Sequence, residues 1–261
     1  MSAREKSASS RRQPEQQAPP AQRLRVRYAK RATARFTSHR DVARALERAL
    51  NRARIPMAYS SGFHPHPRIS YANASATGAA SEAEYLELAL VRVCDPRRVQ
   101  EALGAQMPPG VVVREVVESD RRPFAELLTA SAWRLEPAAG TDWQAVTAGV
   151  EELWGCREHV VERMTRSGLR RFDVRAALVG LGTAPRTLPE GEHGVEVRTI
   201  VHHATPLVRP DDVLTALSQR CPLVPDSTRV TRLAQGRELA GEGLATPLAD
   251  PFTGAPQVIW Q

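Results

Sequence analysis

The 261-residue sequence is poor in aromatic residues, at 5% of the chain, and in cysteine, with Cys94, Cys156 and Cys221 the full complement. So few rings make aliphatic and alanine packing the expected core chemistry and argue against a broad base-stacking platform. The thiols are odd in number and widely separated, which excludes a disulfide framework and suits reduced cysteines in a cytosol. No apolar run approaches the roughly 18 residues needed to cross a bilayer, and the N-terminus lacks the apolar block of a signal peptide. A cytoplasmic protein without a membrane partner is expected. The sequence also holds no Gly-rich phosphate loop, dinucleotide fingerprint, nucleophile elbow, Cys-x-x-Cys pair or His-Glu-x-x-His frame. No cofactor and no metal are expected.

Apolar residues make up 42% of the chain and charged residues 25%, enough greasy material for packed cores. The length admits one large domain or two modest ones, and two is the better starting point. The net charge is +7, with arginine by far the commoner basic residue. Its planar fork fits phosphate, so RNA or another polyanion is an expected partner. Solvated charge in a genome rich in GC codons explains the same balance.

Residues 1–22 are rich in Ser, Gln, Pro, Ala and charge, and read as a disordered tail. Order begins at LRVRYAK, where Leu24, Val26 and Tyr28 alternate with polar positions as in a strand with one buried face and one basic face. Ser38 with Asp41 opens a helix carrying Val42, Ala45, Leu46, Ala49 and Leu50 at spacings of three and four. A Pro-rich loop, the short strand RISYAN, a buried strand over 84–93, a helix from Asp95-Pro96 and a strand from Val111 follow. This β-α-β-β-α-β order is the ferredoxin-like plan, in which both helices cover one face of an antiparallel sheet and leave the other open.

The order then repeats, with one extra hairpin strand. EHVVERMT and RRFDVRAALVGL read as two strands turning at Ser167-Gly168, with helices over 143–154 and from Pro210. The expected fold is α+β, two tandem ferredoxin-like domains over 23–120 and 131–238. Residues 121–130 form a linker and 239–261 an extended tail.

Three clusters carry possible chemistry. Arg44, Arg48 and Arg52 recur every four residues of the first helix, one turn beyond Arg40, which places them along one face roughly 6 Å apart. That row can track a phosphate backbone or simply be solvated. The loop from Ser60 to Ser70 is stiffened by Pro65 and Pro67, bends at Gly62, and carries Ser60, Phe63, His64, His66 and Arg68. It suits anion binding or, with His39, His64 or His66 as general base, acid/base chemistry. Those histidines with His202 and His203 make a three-histidine metal site conceivable, but without a supporting frame. Glu84 could orient a histidine or arginine of that loop, or be an ordinary surface carboxylate. In the second half Arg166, Arg170, Arg171 and Arg175 cluster about one hairpin with Asp173 available to pair.

The run FTSHRDVARALERALNRARIPMAYSSGFHPHPRISYA, with TGAASEAEYLEL, resembles the radical-SAM-linked protein family, a bacterial family of undefined activity. SGLRRFDVR and RPDDVL extend the resemblance over residues 23–235. Matching positions include Ser38, His39, Asp41, Arg48, Ser60, Gly62, Phe63, Pro65, Pro67, Ser70, Gly78, Ser81 and Glu84. The sequence departs from the pattern at Arg40, where an apolar residue is usual, and over NASATGAAS. The family occurs fused to a radical-SAM enzyme or alone, and the stand-alone form is expected here. The resemblance implies a helper to a radical-SAM enzyme or to RNA metabolism. The three cysteines cannot form the Cys-x3-Cys-x2-Cys cradle of such an enzyme, so the chain does not run that chemistry alone. The expectation is a nonenzymatic RNA- or phosphate-substrate-binding module using Ser38, His39, Arg44, Arg48, Arg52, the 60–70 loop and Glu84. The alternatives are a metal-independent endoribonuclease, since CRISPR RNA-processing endonucleases share the tandem plan, and a protein-interaction scaffold.

Overall fold

A computed structural model describes residues 18–165, 168–187, 191 and 193–260. The expected tail falls mostly on residues 1–17, outside the described residues, as do Arg166 and Ser167 of the expected second-half turn.

Alternation puts Leu24, Val26 and Tyr28 of β1 (Gln22–Lys30) into the core. The Ser38 hydroxyl then caps α1 (His39–Arg52): it accepts the Asp41 N–H at 3.2 Å and donates to the Asp41 carboxylate at 2.7 Å. Val42, Leu46, Ala49 and Leu50 form the buried stripe of α1. β2 (Ile69–Ala72), β3 (Ala80–Leu90), α2 (Pro96–Gly104) and β4 (Val111–Glu118) complete the expected order. Strand β3 was expected over 84–93, but it begins at Ala80 and ends at Leu90, leaving Val91 and Val93 exposed. Its added N-terminal stretch is where the second half joins it.

After the short α3 (Phe124–Leu127) come β5 (Ala130–Glu136), α4 (Trp143–Gly155), β6 (Val160–Thr165) and β7 (Gly168–Asp173). The run RRFDVRAALVGL is not one strand. Asp173 ends β7 by accepting the Ala176 and His159 N–H groups, and so caps the single turn α5 (Val174–Ala177) before β8 (Leu178–Thr187). β9 (His193–His202), α6 (Pro210–Ser218), β10 (Arg229–Glu238) and β11 (Leu248–Ala249) follow, and β6 with β7 forms a separate hairpin.

One nine-stranded sheet serves both halves, in the order β4-β1-β3-β10-β5-β9-β8, with β2 beside β3 and β11 beside β10. Its pairings are antiparallel except where Ala80 and Ser81 of β3 run parallel to Thr231 and Arg232 of β10. On one face Leu24, Val26, Leu86 and Leu88 pack with Val42 and Leu46 of α1. Farther along the same sheet Trp133, Leu135 and Val197 pack with Val150 of α4 and Leu214 of α6.

The opposite face, expected to be open, is covered. Phe124 and Phe252 pack on Tyr85, while Leu248, Leu244, Ile259 and Trp260 pack on Ala130, Ala132, Ile200 and Ala234. Small residues on these strands let the chain after Glu238, read above as an extended tail, lie close to the sheet.

Candidate nucleic-acid interface

Helical spacing puts Arg44 and Arg48 on the same exposed side of α1, where both line a hollow of about 330 Å³. Glu47, Asn51, Ile55 and Met57 contribute to its walls, and Tyr59 and Pro67 close it from the loop. Arg44 lies 3.9 Å from Asp41, a loose contact between exposed groups. No carboxylate among the described residues pairs with Arg48.

The loop is a narrow ribbon sewn to β3. Ala58 donates to Ala89 O at 2.8 Å, Arg68 donates to Ala58 O at 2.8 Å, and Tyr59 bridges Pro67. Ser60 donates its N–H to His66 O at 2.9 Å, and its hydroxyl accepts the His66 N–H at 3.0 Å, so this serine holds the ribbon together. Gly62 sits at φ +137°, a left-handed conformation that a side chain would strain. The ribbon exposes Phe63 to 75%, along with His64, His66 and Arg68.

The expected row therefore assembles in part. Arg44 and Arg48 meet the ribbon at its base, whereas His64, His66 and Arg68 lie outside the hollow's lining. Arg52 is engaged elsewhere, donating to the Gln106 side chain at 3.1 Å and the Gln106 carbonyl at 2.7 Å. Ser38 is the helix cap, and Ser70 is exposed on β2. His39 stands at the other end of α1, edge-on to Tyr71 at 4.9 Å, and lines a different cleft. Among the described residues no group of three metal-ligating side chains occurs.

Glu84 is neither on the surface nor beside the loop. It is 2% exposed and pairs with Arg232 of β10, itself 3% exposed, while accepting the Ser75 N–H at 3.1 Å. Burial alone would raise its pKa, but Arg232 and the hydrogen bonds from Ser81, Arg232 and Ser75 hold the carboxyl below the usual range.

The basic face of β1 read from the sequence is largely neutralised. Arg23 meets Glu87 at 2.7 Å, Arg25 meets Asp120 at 2.6 Å, and Arg27 meets Glu115 at 2.6 Å and Asp250 at 2.8 Å. In the second half Arg171 faces Glu162 at 3.8 Å, and Arg175 lies over the Trp154 ring at 4.2 Å. Asp173 was available to pair but serves as a cap. With the β1 face paired, α1 and the exposed Arg170 and Arg171 of the β6–β7 hairpin remain as the basic surfaces of the sequence reading.

Sequence reasoning missed Asn73, Ser131 and Arg232 and named His203 only as a conceivable metal ligand; the four come together only through long-range pairing. His203 Nδ1 lies 2.7 Å from Leu128 O and Nε2 lies 2.8 Å from Ser131 Oγ, so the ring donates to the carbonyl and accepts from the hydroxyl. Burial pushes its pKa down from 6.5 to about 4, with Arg232 and His202 adding to the shift and the Leu128 carbonyl and Glu238 opposing it. A lowered folded value means that the unfolded chain protonates first as pH falls. Stability from His203 is whole above pH 6.5 and is lost toward pH 4. Urea unfolding at pH 7 and pH 5 should show the wild type losing about 1–2 kcal/mol more than a His203→Gln variant. Equal losses would assign the acid sensitivity to other groups.

Fold and hollow together define a mixed α+β protein with one large, mostly antiparallel sheet, several helices and an arginine-bearing helical face. The chain belongs to the family described as an uncharacterized protein conserved in bacteria (DUF2344), whose model matches residues 23–210. A comparison with curated proteins finds no match. Among solved structures the chain is similar to a putative dyp-type peroxidase protein from Shewanella oneidensis, at 9% identity over 85% of this chain and 94% of that one. The TM-score of 0.22 carries neither fold nor chemistry across. No helix among the described residues is long and apolar enough to cross a membrane.

Proposed function

We propose that the protein is a nonenzymatic module that binds a phosphate-bearing polyanion, RNA foremost, along the exposed side of α1, and that it serves a radical-SAM enzyme or RNA metabolism. The observation that carries this is the hollow shared by Arg44, Arg48, Tyr59 and Pro67. It joins two guanidinium groups with weak or no internal pairing to a ring that is 42% exposed. Such a site gives phosphates a charge to meet and an unpaired base a face to stack on. Phe63 at the ribbon tip adds a second exposed ring. The radical-SAM connection rests on the sequence resemblance alone.

The finer fold reading is also part of this proposal. β4-β1-β3-β2 in the first half and β10-β5-β9-β8 in the second follow one strand order, which supports two ferredoxin-like units over 23–120 and 131–238 fused edge to edge.

The test is binding of a labelled single-stranded RNA from 50 to 200 mM salt, followed by fluorescence anisotropy. Affinity should fall steeply with salt, and Arg44→Gln with Arg48→Gln should flatten the log–log slope by about 1.4, the share of two phosphate contacts on a single strand. No binding at low salt, or a slope unchanged in the double variant, would sink the proposal. Cleavage of the RNA that disappears in a His64→Ala, His66→Ala protein would favour the endoribonuclease instead.

A further inference from the structure

A cleft of about 640 Å³ lies where the two halves of the sheet meet, away from the α1 hollow. Each half covers its own strands with its own helices, and the cleft opens between the start of α1 and the start of α6, floored by β5 and β10. Its volume falls within the range of small-molecule sites, roughly 300–1,000 Å³.

One wall is the 73–77 segment, and buried charges hold it from behind. Arg232 donates to Asn73 O at 2.7 Å, Lys30 donates to Ala76 O at 3.2 Å, and Glu84 accepts the Ser75 N–H at 3.1 Å. All three charged residues are at most 3% exposed. Burying charge is costly, and a surface turn does not need it. What it achieves here is a wall set before any ligand arrives, which lowers the ordering cost of binding.

Within that wall the Ser75 hydroxyl is an orphan. The residue is 7% exposed and lines the cleft, yet its Oγ has no hydrogen-bond partner.

The charged side chains that line the cleft are both arginines: Arg232, already paired with Glu84, and the exposed Arg209, while none of the lining residues is a carboxylate. Asp212, the acid at the start of α6 with its own partner, is taken by Arg163. Trp133, Leu207 and Val208 supply the apolar part of the lining.

We infer that this cleft is a second binding site, for a small organic anion, a phosphate ester or carboxylate with an apolar body. The Arg209 guanidinium would meet its polar end, and Trp133 with Leu207 its body. The inference does not depend on polyanion binding at α1, since no arginine of the α1 hollow lines the cleft.

The experiment is an NMR titration of the full chain with phenyl phosphate, benzoate and inorganic phosphate, read at the imidazole signals of His39 and His203. Those signals are assigned with His39→Gln and His203→Gln proteins. At least one aromatic anion should shift both signals saturably and bind about tenfold more tightly than inorganic phosphate. Thr77→Trp, which puts bulk at an exposed lining position, should abolish the shifts. If that variant does not fold, Arg209→Gln should weaken binding several-fold. Arg48→Gln should leave the titration unchanged. The inference is overturned if no probe shifts either signal, or if the shifts are as large with inorganic phosphate, or if they survive both cleft variants.

Discussion

Replacing Arg232 by alanine should lower the unfolding free energy by about 3–5 kcal/mol, the usual cost of removing one partner from a buried ion pair. The substitution strands Glu84 at 2% exposure and removes the donors to Asn73 O and Ser81 Oγ. Lys30, whose ammonium is also attracted to Glu84, offsets part of the loss. In the wild type the depressed Glu84 carboxyl adds stability above the ordinary value of 4.5, and that contribution is lost as pH falls through the folded value. In Arg232→Ala burial is less opposed, so the carboxyl titrates higher and the variant's deficit should shrink as pH falls from 7 to 5. Urea unfolding at both values measures this. A Glu84→Leu, Arg232→Leu double variant should recover most of the stability, because it removes the desolvated charges together. A single-variant loss below about 1 kcal/mol would mean that the pair is open to water.

Gly236→Ala should destabilise by about 1–3 kcal/mol, as overpacking does in a filled interior. A β-carbon there would sit 2.1 Å from the Ala249 carbonyl oxygen, and that oxygen belongs to backbone paired with β10. Something must shift, and the nearest candidate is the C-terminal segment that covers the sheet. Gly104→Ala, the same chemical change, should have the opposite sign. It lies at the end of α2, and its β-carbon would approach nothing nearer than Val113 Cβ at 4.0 Å. There the reduced freedom of the unfolded chain should stabilise by about 0.5–1 kcal/mol. Thermal unfolding of both proteins checks the pair, and a stabilised Gly236→Ala would show that β11 does not pack as described.

What the sequence discloses is what depends on near neighbours. The stripe Val42, Leu46, Ala49 and Leu50, the Ser38 cap and the alternation of Leu24, Val26 and Tyr28 are all local, and each appears where periodicity puts it. The stretch after Phe172 misleads because Asp173 suits a cap as well as a strand end, and the helical turn it starts lasts four residues. Glu84 misleads more seriously. Nothing within ten residues reveals that its partner lies 148 positions away on β10. The basic face of β1 likewise reads as available charge until β3, β4 and the C-terminal segment bring Glu87, Glu115 and Asp250 to it. The candidate site was legible to the extent that it is one helix and one ribbon. The cleft between the halves was not, since six segments of chain contribute to it.

The parallel contact between β3 and β10 has a bearing on biosynthesis. On a ribosome adding roughly 5–20 residues per second, Arg232 emerges some 7–30 s after Glu84. Throughout that interval the nascent first half holds a carboxylate without its guanidinium and a β3 edge with unpaired backbone groups. Proteins commonly shield such an edge from other chains. A premature stop before residue 231 should therefore yield a fragment whose β3 leaves Ala80 and Ser81 without their parallel neighbours on β10.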